Sequence, residues 1–212
     1  RRGVEAGTLK VYSEWSHGGM ALALLAAEKG LDYVACKSML GTDIMKTNPY
    51  IKQAEDPFTG APVCLVPAMY PDVAIIHVHH ADKYGNGRIW GPAVNDESIC
   101  VAAHKVIVTC ERIVDTLDIR ANPYQVVVPH YTVDAVCEVP FGAYPGDMPG
   151  MYYFDRRLQE RVVRVEWKTP ESTRHFYDKY ILGTKDHFEM IQIIAEEEGM
   201  NVIEYLKQLE QL

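Results

Sequence analysis

The stretch that most constrains this chain is "DVAIIHVHHADKYGNG" (72–87). Residues 72–80 carry the continuous apolar run of a buried strand. Such a strand needs a covering layer, so it implies a sheet within a mixed fold rather than a free hairpin. The turn that follows sits at the strand's C-terminal end, where open α/β sheets place their ligands. Gly85, Asn86 and Gly87 can take positive φ and bring backbone N–H groups close to a bound group. Gly-Asn-Gly is also ordinary turn chemistry, and both readings stand at this point.

The histidines of the same stretch raise a metal site. On a strand His77 and His79 face one way and His80 the other. With Asp82 they could offer three ligands to zinc. No further His or Cys at short spacing completes the set, so the expectation is no metal. Histidines that hydrogen-bond the backbone or a pocket fit the pattern better.

The rest of the chain repeats the alternation. Strands are expected at 8–15, 33–39, 62–68, 105–111, 125–131 and 133–139. Helices are expected at 17–30, closed by Gly30, and at 95–105, capped by Asn95 or Asp96. The first is apolar nearly all round, which suits a helix packed closely against a sheet. After the Gly- and Pro-rich loop 140–150 the pattern turns helical, with Thr169 as an N-cap and Pro170 at the first helical position. The implied fold is α/β: an open, largely parallel sheet sandwiched by helices, with a helical C-terminal tail. Residues 1–155 would form the α/β domain, and 156–212 a helical extension packed on it or on a partner.

Composition narrows the function classes. With 212 residues, 48% of them hydrophobic, the chain can bury a substantial core. A net charge of −8 argues against a nucleic-acid binder, which would show a basic excess. The five cysteines, at 36, 64, 100, 110 and 137, contain no C-x-x-C pair, and each reads as a small core residue. Reduced thiols in such a chain point to the cytoplasm. No apolar run approaches the roughly 20 residues of a membrane span. The polar "KVYSEWSHGG" separates the basic start from the apolar Met20–Ala27, unlike a signal peptide.

Three turns could carry chemistry. "SEWSHGG" (13–19) places Glu14 ahead of a helix N-terminus, as a base, a hydrogen-bond acceptor or simply a cap. "CKSMLGTDIM" (36–45) could aim Lys37 at the same crevice, to pair with Glu14 or a substrate carboxylate. The third is the loop Asp82–Asn86. Arg157, Arg161 and Arg164 would share a helix face, either toward phosphates or as a solvated stripe.

Several separated stretches, in order, resemble the α subunit of family I coenzyme A transferases of the glutaconate type. They are "SHG" before an Ala-rich helix, "GTDIMKTNP" (41–49), "DPFTGAPV" (56–63) with "VPAM" (66–69), "PDVAIIHVHHADKYGNGRIWG" (71–91), "CERIVDT" (110–116) and "VDAVCEVPFGAYPGDMPGMYYFD" (133–155). The resemblance implies an open α/β sandwich that pairs with a homologous β subunit. In that family a glutamate of the β subunit attacks the thioester of acyl-CoA, forming an anhydride and then a glutamyl-CoA thioester. This chain's implied share is pocket wall and contact surface: Ser38, Gly41, Asp43, Asp82, Gly85, Asn86, Phe141, Gly142 and Ala143. Coenzyme A thioester and a small carboxylic acid would be substrates, with no tightly bound cofactor. Family α subunits carry a glycine-rich strand–helix region before the point where this sequence starts, so a preceding segment is expected. A related branch ring-opens cyclic acyl-CoA esters by hydrolysis, and there Glu14 and Lys37 would be catalytic. Similar proteins carry arginine at the Lys37 position, and lysine does not clamp a carboxylate equivalently. A non-catalytic scaffold is the third reading.

Overall fold

The computed structural model describes residues 2–210, so positions 211 and 212 of the expected last helix lie outside the described residues. After a short turn α1 (Arg2–Glu5), residues 8–15 pair with no strand. The alternation that predicts a strand there has no neighbour to bond: Leu9, Val11 and Tyr12 are all exposed. The segment is held instead by Asn48, buried, whose Nδ2 donates to the Glu14 carbonyl at 2.7 Å while its Oδ1 accepts from Tyr50 N at 2.9 Å.

Helix α2 (His17–Glu28) starts at Ser16, whose hydroxyl accepts from Gly19 N. Its small apolar residues let it bury more than one side. Ala23 packs with Met39, Ile51, Cys64 and Val66, while Leu24 and Ala27 meet Ala102. α2 is thus the joint between two sheets. The first is three-stranded, with β1 (Tyr33–Cys36), β2 (Lys52–Glu55) and β3 (Pro62–Pro67) in the order β1-β3-β2, antiparallel throughout; α3 (Ile44–Thr47) lies between β1 and β2 in sequence. β1 ends at Cys36 rather than at 39 because Met39 turns the chain at φ 74°.

The second sheet has five strands in the order β7-β5-β4-β6-β8. They are β4 (Val73–Ala81), β5 (Gly87–Arg88), β6 (Lys105–Ile113), β7 (Val126–Val128) and β8 (Ala135–Glu138), with α4 (Asp96–Ala102) and α5 (Thr116–Ala121) between them in sequence. β4 and β6 run parallel from Val73↔Lys105 to Ala81↔Ile113, and β8 adds parallel to β6. β5 and β7 add antiparallel. The α/β class holds, with one correction. Parallel pairing is confined to β4-β6-β8, because a short polar turn joins β4 to β5 where a parallel crossover needs a long connection. β7 stops at Val128 since Pro129 has no N–H to continue the ladder.

One face of this sheet is sealed by Ala74, Ile76, Val78, Val106, Val108, Cys110 and Val128 with Cys100 of α4. The other face is covered only toward the strand ends: Ile75 is 68% exposed and His79 0%. The cover comes from the loop after β8 and from α6 (Arg156–Arg161), α7 (Pro170–Phe176), α8 (His187–Glu197) and α9 (Val202–Glu210). Thr169 caps α7 in a reciprocal box with Ser172, and Pro170 opens the helix, as expected. Tyr144, Met148, Tyr152, Leu158, Tyr180, Ile191, Ile194, Tyr205 and Leu209 form one apolar cluster. Buried Asp155 stitches it together, accepting from Leu158 N at 3.0 Å and from the hydroxyls of Tyr144 and Tyr205. The arginine stripe is structural: Arg161 pairs with Glu197 at 2.9 Å, Arg157 with Glu198 at 3.5 Å and Arg164 with Glu160 at 3.6 Å. Among the described residues no helix is long and apolar enough to cross a membrane.

Ile191 is fully buried in the helical cluster. Ile191→Ala should cost about 2–5 kcal/mol, read as a lower midpoint in urea denaturation at unchanged slope.

Candidate functional site

The loop after β4 is built on Asp82. Its Oδ1 accepts from Tyr84 N at 3.0 Å and Asn86 N at 3.1 Å, and its Oδ2 from Asn86 Nδ2 at 2.8 Å. Burial alone would raise this carboxyl, yet the Asn86 side chain and the backbone N–H groups outweigh it and hold it below the usual range. Gly85 sits at φ +97°, where a Cβ would lie 2.6 Å from Val133. Asp82 and Gly85 are therefore the inner frame of the loop. Lys83, Tyr84 and Asn86 are the side chains it presents outward.

They face a cleft of about 1090 Å³, walled across from the loop by Ile113, Val114, Leu117, Ile119, Arg120, Pro123, Val126 and His130. The cleft lies beyond the C-terminal ends of β4 and β6, the place an open α/β sheet reserves for a ligand. Arg88, buried, fixes the wall by donating from Nη2 to the carbonyls of Ile119 at 3.0 Å and Asn122 at 3.1 Å, closing the C-terminal end of α5. Asn86 Oδ1 accepts from His130 N at 3.3 Å and meets its Nδ1 at 3.2 Å, which orients that ring at the rim. Lys83 lies over the Tyr84 ring at 5.0 Å, and among the described residues neither it nor Arg120 has a carboxylate partner. The result is an apolar trough with two free cations.

The other expected residues fall in two separate places. At the start of α2, Ser16 Oγ and Ser38 Oγ lie 3.1 Å apart. Glu14 has Thr47 Oγ1 at 3.5 Å, and Gly41 and Asp43 are exposed in the turn into α3. Among the described residues no ion pair joins Glu14 and Lys37, one of the two pairings open to Lys37 in the sequence; the charge of exposed Lys37 acts on Asp56 of the β2–β3 hairpin. Phe141, Gly142 and Ala143 lie in the loop after β8, on the far face of the sheet. Phe141 takes φ 57°, and Gly142 is packed so closely that a Cβ would meet His77 Cε1 at 2.5 Å.

Beneath that loop is a group absent from the candidate residues although it lies within "CERIVDT" (110–116), Glu111. It is buried and accepts from His77 Nε2 at 2.8 Å, from Phe141 N at 2.6 Å and from the Tyr152 hydroxyl. Desolvation pushes its pKa up, but the three hydrogen bonds win and hold it below the usual carboxylate range. His187 at the head of α8 reaches the Phe141 carbonyl at 2.7 Å, so the loop is gripped from both sides. A glutamate inside the apolar pattern of β6 was the available signal, since a buried carboxylate demands partners.

His77 and His79 have protein partners on both ring nitrogens. His77 Nδ1 lies 2.9 Å from Thr109 Oγ1, opposite its Glu111 contact, while His79 meets the Pro149 carbonyl at 2.8 Å and Trp90 N at 3.1 Å. His80 packs edge-on against the Trp90 ring. With Asp82 also engaged, the zinc ligands considered from the sequence are committed to separate internal bonds.

Comparison with known proteins bears on this arrangement. The model of the family described as coenzyme A transferase matches residues 1–139. The chain is 37% identical to the A-type subunit of 3-oxoadipate CoA-transferase of Pseudomonas knackmussii, over 86% of this chain and 64% of that protein. It is 31% identical to the A-type subunit of glutaconate CoA-transferase of Acidaminococcus fermentans, over 95% of this chain and 68% of that protein. The crystal structure of glutaconate coenzyme A-transferase from Acidaminococcus fermentans superposes with a TM-score of 0.88 at 29% identity, covering 100% of this chain and 69% of that one. The chain thus spans from about half to two-thirds of the length of the relatives it matches, 46% in one and 68% in another.

The Glu111 network makes a pH prediction. A carboxylate held below its ordinary value contributes stability that is fully present above that value and is lost as pH falls through the depressed one. Glu111→Gln should destabilise the chain by about 1–3 kcal/mol near neutral pH. The gap to wild type should narrow below about pH 4.5, as followed by urea denaturation at a series of pH values.

Proposed function

This chain belongs to the coenzyme A transferase family, and from that premise we propose that it is the α-type part of an acyl-CoA:carboxylate CoA-transferase. The observation that carries the reading is its likeness to A-type subunits of such enzymes over nearly the whole chain. A homologous β-type subunit would join it and supply the attacking glutamate. The chain's own chemistry supports that division. Among the described residues the buried carboxylates, Asp82, Glu111 and Asp155, are all tied into internal hydrogen bonds, which leaves them as frame rather than nucleophile.

This chain's share is recognition. The trough beyond β4 and β6 would take part of an anionic, partly apolar substrate, an acyl-CoA or a small carboxylic acid. Lys83 and Arg120 would attract the charge, His130 would be held at the rim by Asn86, and Ile113, Leu117 and Val126 would exclude water. Ser38, Gly41, Asp43 and Glu14 at one edge, and Phe141–Ala143 on the other face, would complete walls shared with the partner. Coenzyme A thioester enters as substrate, with no resident cofactor, and the setting is the cytoplasm.

The test is to co-produce the chain with its β-type partner and follow CoA exchange between acyl-CoA and a panel of free mono- and dicarboxylic acids by mass spectrometry. Exchange is expected, and a complex that moves CoA to none of them refutes the reading. In the active complex, Arg120→Gln should raise KM by about tenfold, equivalent to about 1.4 kcal/mol of lost binding. Glu14 is catalytic only in the ring-opening hydrolase reading, so turnover that survives Glu14→Ala in the active complex, with at most a raised KM, removes that reading.

A further inference from the structure

Two cysteines that read as unrelated in the sequence are brought together by the first sheet. The antiparallel register of β1 and β3 makes Cys36 and Cys64 direct partners. Opposed residues of an antiparallel pair share a face, with Cα atoms about 4.5–5.5 Å apart. A disulfide needs a Cα separation of about 4.4–6.8 Å. No strand need shift for the bond to form.

Their surroundings differ in a useful way. Cys64 is fully buried among Met39, Ile51 and Val66, with Met45 Sδ 3.5 Å from its sulfur. Burial, with Cys36 adding to it, pushes the Cys64 thiol up to about 11. Cys36 is only half-buried and donates weakly to the Ser38 carbonyl at 3.8 Å. Cys36 is the more exposed residue of the two, and Cys64 lies fully buried beside it. The remaining cysteines provide contrast. Cys110 and Cys137 are on neighbouring strands, but the register sets Cys137 opposite Thr109, so the two sulfurs point to opposite faces.

We propose that Cys36 and Cys64 are a redox pair that closes to a reversible intrachain disulfide on exposure to hydrogen peroxide. The Cys36 thiol gives up its proton and its thiolate sulfur attacks one peroxide oxygen. The O–O bond breaks, Cys36 becomes a sulfenic acid, and the departing hydroxide takes up the proton as water. Cys64 then gives up its own proton and attacks the Cys36 sulfur. The S–S bond forms, the S–O bond breaks, and the second hydroxide leaves as water with that proton. Two electrons pass from the sulfurs to the peroxide. Closure ties the last residue of β1 to the sheet's central strand, directly ahead of Lys37 and Ser38.

The experiment treats the whole chain with hydrogen peroxide, blocks remaining thiols with N-ethylmaleimide, and maps peptides by mass spectrometry without reduction. The expected result is one linked pair containing Cys36 and Cys64, lighter than the reduced pair by two hydrogens and released by dithiothreitol. Because the Cys64 thiol titrates high, linkage should speed up from about pH 7 to about pH 9. Cys36→Ser should abolish it, while Cys137→Ser should leave it intact. Cys36 oxidised to sulfinic or sulfonic acid beside an unlinked Cys64, or both thiols still free for alkylation, would overturn the proposal.

Discussion

The nine-residue parallel pairing of β4 with β6 is the constraint on which the other features depend. Its register, running from Val73↔Lys105 to Ala81↔Ile113, sets the two strand ends level. Level ends let the loop from β4 and the loop from β6 face each other across one cleft. The same register lays His77 beside Thr109, with Glu111 in reach two residues on. A slip of β4 by one residue would turn Ile76 and Val78 out of the core and carry His77 away from Glu111.

Around that pairing, polar residues are used mainly to shape loops. Asp82 closes its own turn, Asn48 staples two extended segments, Arg88 stops α5, and Glu111 holds the backbone at Phe141. Asp82, Asn48 and Glu111 satisfy most of their bonding capacity inside the chain, as groups withdrawn from water must, whereas Arg88 bonds through Nη2 and leaves a buried Nε without a partner. The side chains left over for a ligand are therefore the outward ones, Lys83, Tyr84 and Arg120, carried on frames that the buried ones fix.

Much of the fold was legible in the sequence because local chemistry and tertiary demand agreed. The Ala-rich helix after Ser16, the apolar β4, and the Thr169–Pro170 helix start all fold as their patterns dictate. Residues 8–15 did not, since alternation promises a strand only where another strand is available to bond. The candidate site was half legible. The loop at 82–86 does border the cleft, yet Asp82 and Gly85 are its inner frame, while Arg120 and His130 come from segments with no motif of their own. Glu111 and the Cys36–Cys64 pairing depend on register between strands distant in sequence, which no local pattern encodes.

The pairing of β4 is lopsided, and that has a bearing on how this stretch of chain behaves in solution. Along one edge it is bonded to β6 throughout, but along the other only His80 and Ala81 meet β5. Among the described residues, Val73 to His79 therefore present an edge without a strand partner near the middle of a sheet, with the exposed side chains of Val73 and Ile75 beside it. Natural sheets guard such edges with charge, proline or a covering element, because an open apolar edge templates strands from other molecules. Here Pro71 and exposed Asp72 flank the near end of that edge and the histidines its far end. A strand from another molecule would therefore meet backbone without a strand partner first beside Val73 and Ile75.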